Sequence, residues 1–417
     1  MKNEQKKPTV AKSQSKNWQN KFFDNFLFEM KKAGLKPDEM CKFVWKPFSN
    51  KELKITGTDR DLDFSKVQAS PDEIKNRLEG LVSSDFNSEE FFKNQKLILV
   101  VLPGFTHHTL KFPAFIAQKE LLKSPLDVVE LSIGPDGKST VEKFKHKGGG
   151  VKLVYAAYPR SNASAGIILE PLFNILEQSK SLRRWVLEEG YKIIFVGYSY
   201  GAPLGLELLA AMNSGEYSDN YLLKNTLAFL SINGAIGGAY LADTMLDKSK
   251  KFNVHKFISL AKKFHPVGLP LGLKTDQERD DMIGGITSLA HEERQARIKE
   301  FIDKVPSNIK YISICAFLPD NDYDKKIWRN LDDWLLHLQS LASKDVSIYN
   351  DGQMVLDDCF LPKFPQVAKE NRIELGAIRG HHWSVSWLTF NAGKNKFPRF
   401  PYYRALARTL VEAGVSN

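Results

Sequence analysis

Short β-branched apolar runs alternate along this chain with longer segments whose apolar residues recur every three or four positions. The runs at 97–102, 128–133, 139–144, 151–156, 192–198, 226–232, 311–317 and 373–378 predict strands, most of them buried. Helical spacing starts with Trp18, Phe22, Phe23, Phe26, Leu27 and Met30 and returns at 167–187, 201–209, 331–341 and 402–413. Ser70 followed by Pro71 and Glu73 opens a further helix, with serine as the cap and proline in the first turn. Strand alternating with helix implies an α/β fold, a mostly parallel sheet with helices on both faces. Between residues 234 and 308 the sheet-forming runs stop, which predicts an inserted helical cap or lid over the mouth of a site. The expected plan is a flexible basic arm over 1–18, a core over 19–233 and 309–417, and the cap over 234–308.

One strand-to-helix junction carries chemistry. The run Lys192-Ile193-Ile194-Phe195-Val196 leads into Gly197-Tyr198-Ser199-Tyr200-Gly201 and then into a leucine-rich helix. Ser199 therefore falls at a corner, where flanking glycines leave room for a tight, strained turn that lifts the hydroxyl clear. A serine nucleophile needs a base within hydrogen-bond reach and an acid that orients the base. His381 and His382 follow the last strand, and Asp320, Asp322, Asp351, Asp357 and Asp358 lie between the last two strands.

Composition narrows the partners. A net charge of +10 with pI near 9.2 suits an anionic partner, but no nucleic-acid motif accompanies it, so a lysine-rich solvated surface is expected. Residues 1–18 hold five lysines against one glutamate, and this arm is the candidate for peripheral contact with a membrane surface. Cys41, Cys315 and Cys359 have no metal-ligand spacing and suit a reducing compartment as buried thiols. With no apolar signal segment at the start, a cytoplasmic location is expected. Gly137-Lys138-Ser139 lacks the earlier glycine and the following helix of a phosphate loop. His291-Glu292-Glu293 lacks the second histidine of a zinc helix, and His107-His108 lacks a ligating neighbour, so neither metal nor cofactor is expected.

From about residue 90 onward the chain resembles the α/β-hydrolase superfamily, through the Gly197–Gly201 elbow, the Pro103-Gly104-Phe105-Thr106 loop, Asn350-Asp351-Gly352 and His382-Trp383. The resemblance implies a triad in the chain order serine, acid, histidine. It favours His382 over His381 as base, because a histidine–tryptophan pair recurs in such hydrolases. It favours Asp351 over Asp320 and Asp322 as acid, because bacterial lipases carry a similar N-D-G-x-x-V segment. An oxyanion hole would be formed at the loop Gly104, Phe105 and Thr106, with Phe105 the first donor and Tyr200 the second. The Leu-Pro-Gly-Phe sequence of that loop departs from the His-Gly usual in the superfamily. The activity that the resemblance implies is that of a serine hydrolase, esterase- or lipase-like, cleaving a small-molecule or lipid ester or thioester with an apolar acyl group through an acyl-enzyme. An acyltransferase on the same triad and a catalytically silent binding module are the alternatives.

Overall fold

The computed structural model describes residues 11–415 apart from 49–63, 82–86, 88–89, 91–92, 106–125, 135, 148, 159, 218–220, 251–252, 256–274, 327–330, 345 and 387–395. Its centre is an eight-stranded sheet made of β1 Leu97–Leu102, β2 Asp127–Ile133, β3 Thr140–His146, β4 Lys152–Ala157, β5 Lys192–Tyr198, β6 Thr226–Ile232, β7 Lys310–Phe317 and β8 Arg372–Arg379. The spatial order is β3-β2-β4-β1-β5-β6-β7-β8. All neighbours are parallel except β2 and β3, which form an antiparallel hairpin at one edge.

The period of two places alternate side chains on opposite faces. Ile98, Val100, Leu102, Ile193, Phe195, Phe229 and Tyr311 enter one apolar cluster. Leu97, Val101, Ile194, Val196, Ala228, Leu230, Ile312 and Ile314 enter another. The principal helices, in chain order, are α1 Ala11–Lys32, α2 Pro71–Gly80, α3 Ala165–Glu177, α4 Gly201–Asn213, α5 Tyr240–Leu246, α6 Asp276–Leu289, α7 His291–Phe301, α8 Leu331–Lys344 and α9 Arg399–Glu412. Helices α3 and α4 cover the first face, and α1, α2 and α9 cover the second. Asn25 of α1 donates to the Thr409 hydroxyl of α9 at 2.9 Å, a buried polar link between the two helices. The serine cap expected before α2 is present and forms a capping box, with Ser70 accepting from the Glu73 N–H and Glu73 from the Ser70 N–H. Among the described residues no helix is long and apolar enough to cross a membrane.

Several boundaries differ from the sequence expectation. Helix α1 starts at Ala11, so residues 11–18, expected in the flexible arm, are helical, and residues 1–10 lie outside the described residues. The helix expected over 167–187 is broken, because Ser179 caps a new turn by accepting from the Leu182 N–H, while its own hydroxyl donates to Glu142 of β3. Cys315 and Cys359 are buried free thiols as expected, whereas Cys41 is half-buried. The segment 234–308 is divided. Ile298, Phe301 and Val305 join the core cluster, and fully buried Arg294 of α7 donates to Glu207 of α4 at 2.6 Å. Its last part therefore extends the helix layer, and residues 251–252 and 256–274 lie outside the described residues.

His291, the first residue of α7, ties three pieces of chain together. Its Nδ1 lies 2.5 Å from Asp243 of α5 and its Nε2 lies 2.9 Å from Asp358 in the turn Leu356–Cys359. Two carboxylates accept and cannot donate, so both ring nitrogens carry protons and the group is an imidazolium. Burial alone would lower its pKa, but the two carboxylates outweigh that and push it up to about 9. With an ordinary histidine value near 6.5 in the unfolded chain, the stabilisation is complete below about pH 6.5 and lost as pH rises through about 9. Urea midpoints of the wild-type protein should therefore fall more between pH 7 and 10 than those of His291→Gln. Parallel curves for the two proteins would contradict the bridge.

Candidate active site

The strands β1, β5, β6, β7 and β8 run parallel, so the segments after their C-terminal ends gather at one edge of the sheet. Gly104, Ser199, Asn233, Leu318 and His382 all follow those ends. At the corner between β5 and α4, Ser199 has φ of +54°. A non-glycine residue in that region is costly, on the order of 1–3 kcal/mol, and persists only where its surroundings enforce it. They do so here through close packing. A Cβ at Gly201 would lie 2.0 Å from the Leu102 carbonyl oxygen, and one at Gly197 would lie 2.4 Å from the Ala202 Cα. The serine backbone is also held, its N–H donating to Ile232 O and its carbonyl accepting from Ala202 and Ala235, each at 3.1 Å.

His382 begins a single 3₁₀ turn, His382–Val385, directly beyond β8. Its Nε2 lies 2.9 Å from Ser199 Oγ, and its Nδ1 lies 2.6 Å from Asp351 Oδ2. Asp351 is fully buried and His382 is 1 % exposed, whereas Ser199 is half-buried and reachable. A buried aspartate engaged by a ring nitrogen places the proton on Nδ1, because an ionised carboxylate can only accept. Nε2 is then left to accept from the serine hydroxyl. The Asp351 carboxylate is itself oriented, since its Oδ1 accepts from the N–H groups of Gln353 at 2.9 Å and Met354 at 2.7 Å. Gly352 makes that turn possible with φ of +98° and a Cβ position only 2.9 Å from Leu336 O. Buried Met354 and Val355 anchor it.

The other residues raised by the sequence stand elsewhere. Asp320 contacts His337 at 2.8 Å and Lys325 at 2.9 Å. Partial burial would raise its carboxyl, but these two partners outweigh that and draw it below the ordinary value. Asp322 accepts from Arg379 at 2.7 Å. Asp358 belongs to the His291 bridge, and Asp357 is exposed. His381 points away from the serine, its Nε2 lying 2.9 Å from buried Asp333 of α8. His381 is buried as well, only 4 % exposed.

Phe105 and Tyr200 flank the serine, with their rings edge-on at 6.0 Å. A Cβ at Gly104 would lie 2.9 Å from Ser199 Cβ, which shows how closely this loop approaches the elbow. Tyr158 fixes the loop by donating to Pro103 O at 2.7 Å. Thr106 and the pair His107-His108 lie outside the described residues. Phe105 packs against an apolar cluster that includes Met282 and Ile286 of α6 and Ala235 and Ala239 of the segment before α5. Among the described residues no group of three or more metal-ligating side chains comes together.

Two site residues had escaped the sequence. Buried Tyr198 donates to the carbonyl of His382 at 2.9 Å, and Asn233, with φ of +46°, donates to the same oxygen at 3.3 Å. Tyr198 was visible only as the variable position of the elbow, and a side chain that bonds a backbone oxygen 184 residues away leaves no local signal.

Removing the His381 ring should act on stability first. Because it leaves Asp333 with one buried contact fewer, His381→Ala is expected to cost on the order of 1–3 kcal/mol in urea unfolding. An unchanged midpoint would show that the contact with Asp333 contributes nothing.

No family model matches the chain, and a search of curated proteins finds no match. Among solved structures it is similar to a metagenomic carboxyl esterase at 18 % identity, covering 76 % of each chain with a TM-score of 0.49. It is also similar to a Staphylococcus hyicus lipase at 13 % identity, covering 78 % of this chain and 97 % of that one with a TM-score of 0.42. A Bacillus licheniformis lipase in mature form is 13 % identical over 75 % of this chain and 92 % of that one, with a TM-score of 0.40. The eight-stranded, mostly parallel sheet, the strained serine corner between β5 and α4, and the chain order serine, aspartate, histidine at one edge of that sheet make this the α/β-hydrolase fold.

Proposed function

We propose that the protein is a serine hydrolase that cleaves a carboxylic ester or thioester with an apolar acyl group. The observation that carries this reading is the continuous line from Ser199 Oγ through the His382 ring to buried Asp351, at 2.9 and 2.6 Å. In that line His382 Nε2 takes the hydroxyl proton as Ser199 Oγ attacks the acyl carbon, and the carbonyl bond opens to an oxyanion. Asp351 keeps the ring in the required tautomer and stabilises the imidazolium. The backbone N–H groups of Phe105 and Tyr200 face the developing oxyanion in this reading. As the tetrahedral intermediate collapses, His382 passes the proton to the departing alcohol or thiol and an acyl-enzyme remains. Water then attacks by the reverse sequence and releases the acid. The apolar preference is supported by Phe105, which packs against the apolar cluster that includes Met282 and Ile286. In the same reading helix α6 is a wall of the acyl pocket.

A series of p-nitrophenyl esters of rising acyl length is the direct test. Turnover should rise from acetate to longer chains and disappear in Ser199→Ala, a loss of about 10⁶-fold in kcat. Hydrolysis surviving in that variant, or no hydrolysis of any ester or thioester by the wild-type protein, would overturn the proposal. The acid has its own test: Asp351→Asn should cost about 10⁴-fold in kcat, because the imidazole then loses its enforced tautomer. Asp320→Asn and Asp322→Asn should each cost less than about tenfold, since both carboxylates are engaged with other side chains. The reverse ranking would transfer the role of acid.

A further inference from the structure

Resting on the serine–histidine reading above, we infer that Tyr198 is a positioning residue which sets the spacing between nucleophile and base. The hydroxyl of Tyr198 donates to the backbone oxygen of His382 at 2.9 Å. Its ring lies against the imidazole with centroids 5.3 Å apart and planes tilted by 38°. The same hydroxyl engages the Ser386 side chain, at the far end of the turn that carries His382. Burial raises the phenol well above its ordinary pKa, so it remains a donor throughout the working range.

The geometry gives this contact a purpose beyond cohesion. The other side of His382 is held by Asp351, whose backbone oxygen accepts from the His382 N–H at 2.7 Å. Asp351 belongs to the turn between α8 and β8, so that link fixes base to acid. Tyr198 immediately precedes Ser199 and is the last residue of β5, in register with Ile232 of β6. Its rigid ring therefore fixes base to nucleophile from the strand that carries the nucleophile. Asn233 reaches the same oxygen, but at 3.3 Å its bond is longer. Without the phenolic hydroxyl, one buried carbonyl keeps only that weaker donor, and the histidine turn is free to shift relative to Ser199. A misplacement of about 1 Å in a reacting pair can cost roughly 10²-fold in rate. Substrate binding, which depends on the acyl pocket, is untouched.

The test is Tyr198→Phe, which removes one oxygen and keeps the ring, measured in the full chain with active sites counted by the burst of p-nitrophenol. Turnover per counted site should fall between about tenfold and a hundredfold while KM stays within about twofold. The low-field proton resonance of His382 Nδ1–H should broaden or move. Asn233→Gly, which tolerates the positive φ, should lower turnover less than Tyr198→Phe does. Turnover per site within twofold of wild type in Tyr198→Phe would overturn the inference, as would a larger loss in Asn233→Gly. A fall in melting temperature with normal turnover per counted site would assign Tyr198 to folding alone, and overturn it as well. Absence of a burst from the wild-type protein would overturn the nucleophile reading together with this one. A normal wild-type burst with an unaffected Tyr198→Phe overturns the positioning role only.

Discussion

Everything at this site depends on how closely the start of α4 is pressed against the end of β1. The backbone at Gly201 comes so near the Leu102 carbonyl that no side chain fits between them. That approach forces the turn at Ser199 into a left-handed conformation and presents its hydroxyl at the sheet edge. The strain persists because the flanking strands are mostly buried and locked in register, Leu102 beside Gly197 and Gly197 beside Ser231. A helix layer that shifted by one side-chain radius would relax the turn and withdraw the oxygen from His382. Cohesion of the core and readiness of the site are thus one constraint, transmitted through backbone contact.

The histidine and the aspartate are held by a different device. Neither sits on a strand, and each is fixed by the hydrogen bonds of a short turn. Arg399 at the start of α9 donates to Ser384 O at 2.7 Å and to Trp383 O at 2.8 Å, so the turn after β8 is tied to the helix on the second face. The aspartate turn is tied to β7 through Leu318, whose N–H donates to Asn350 O at 3.0 Å. Loops anchored at this density can act as fixed scaffolding although they lie outside regular structure.

How much of this was legible in the sequence depends on the range of each interaction. The strands were readable because burial on both faces demands continuous β-branched runs, and Thr226–Ile232 has the ends expected of it. The elbow was readable because its glycines and serine are adjacent. The preference for His382 over His381 came from resemblance rather than from pattern, since both are buried and both meet an aspartate. The choice among the aspartates was equally non-local, because the chain leaves the sheet after Phe317, forms α8, and returns before Asp351 reaches the ring. The break in the 167–187 helix escaped for a related reason. Ser179 ends the helix by pairing with Glu142 on a neighbouring strand, a contact absent from the helical period. Tyr198 and Asn233 escaped because their partner is a backbone atom, and backbone atoms have no letter in the sequence.

The central claim is that Ser199 is a nucleophile activated by His382. Incubation with a fluorophosphonate followed by peptide mass spectrometry tests it most directly, since only an activated serine attacks that phosphorus at a useful rate. The account predicts a single phosphonyl adduct on the peptide containing Ser199, formed far more slowly in His382→Ala. An adduct on another residue, or labelling as fast in His382→Ala as in the wild-type protein, would contradict it.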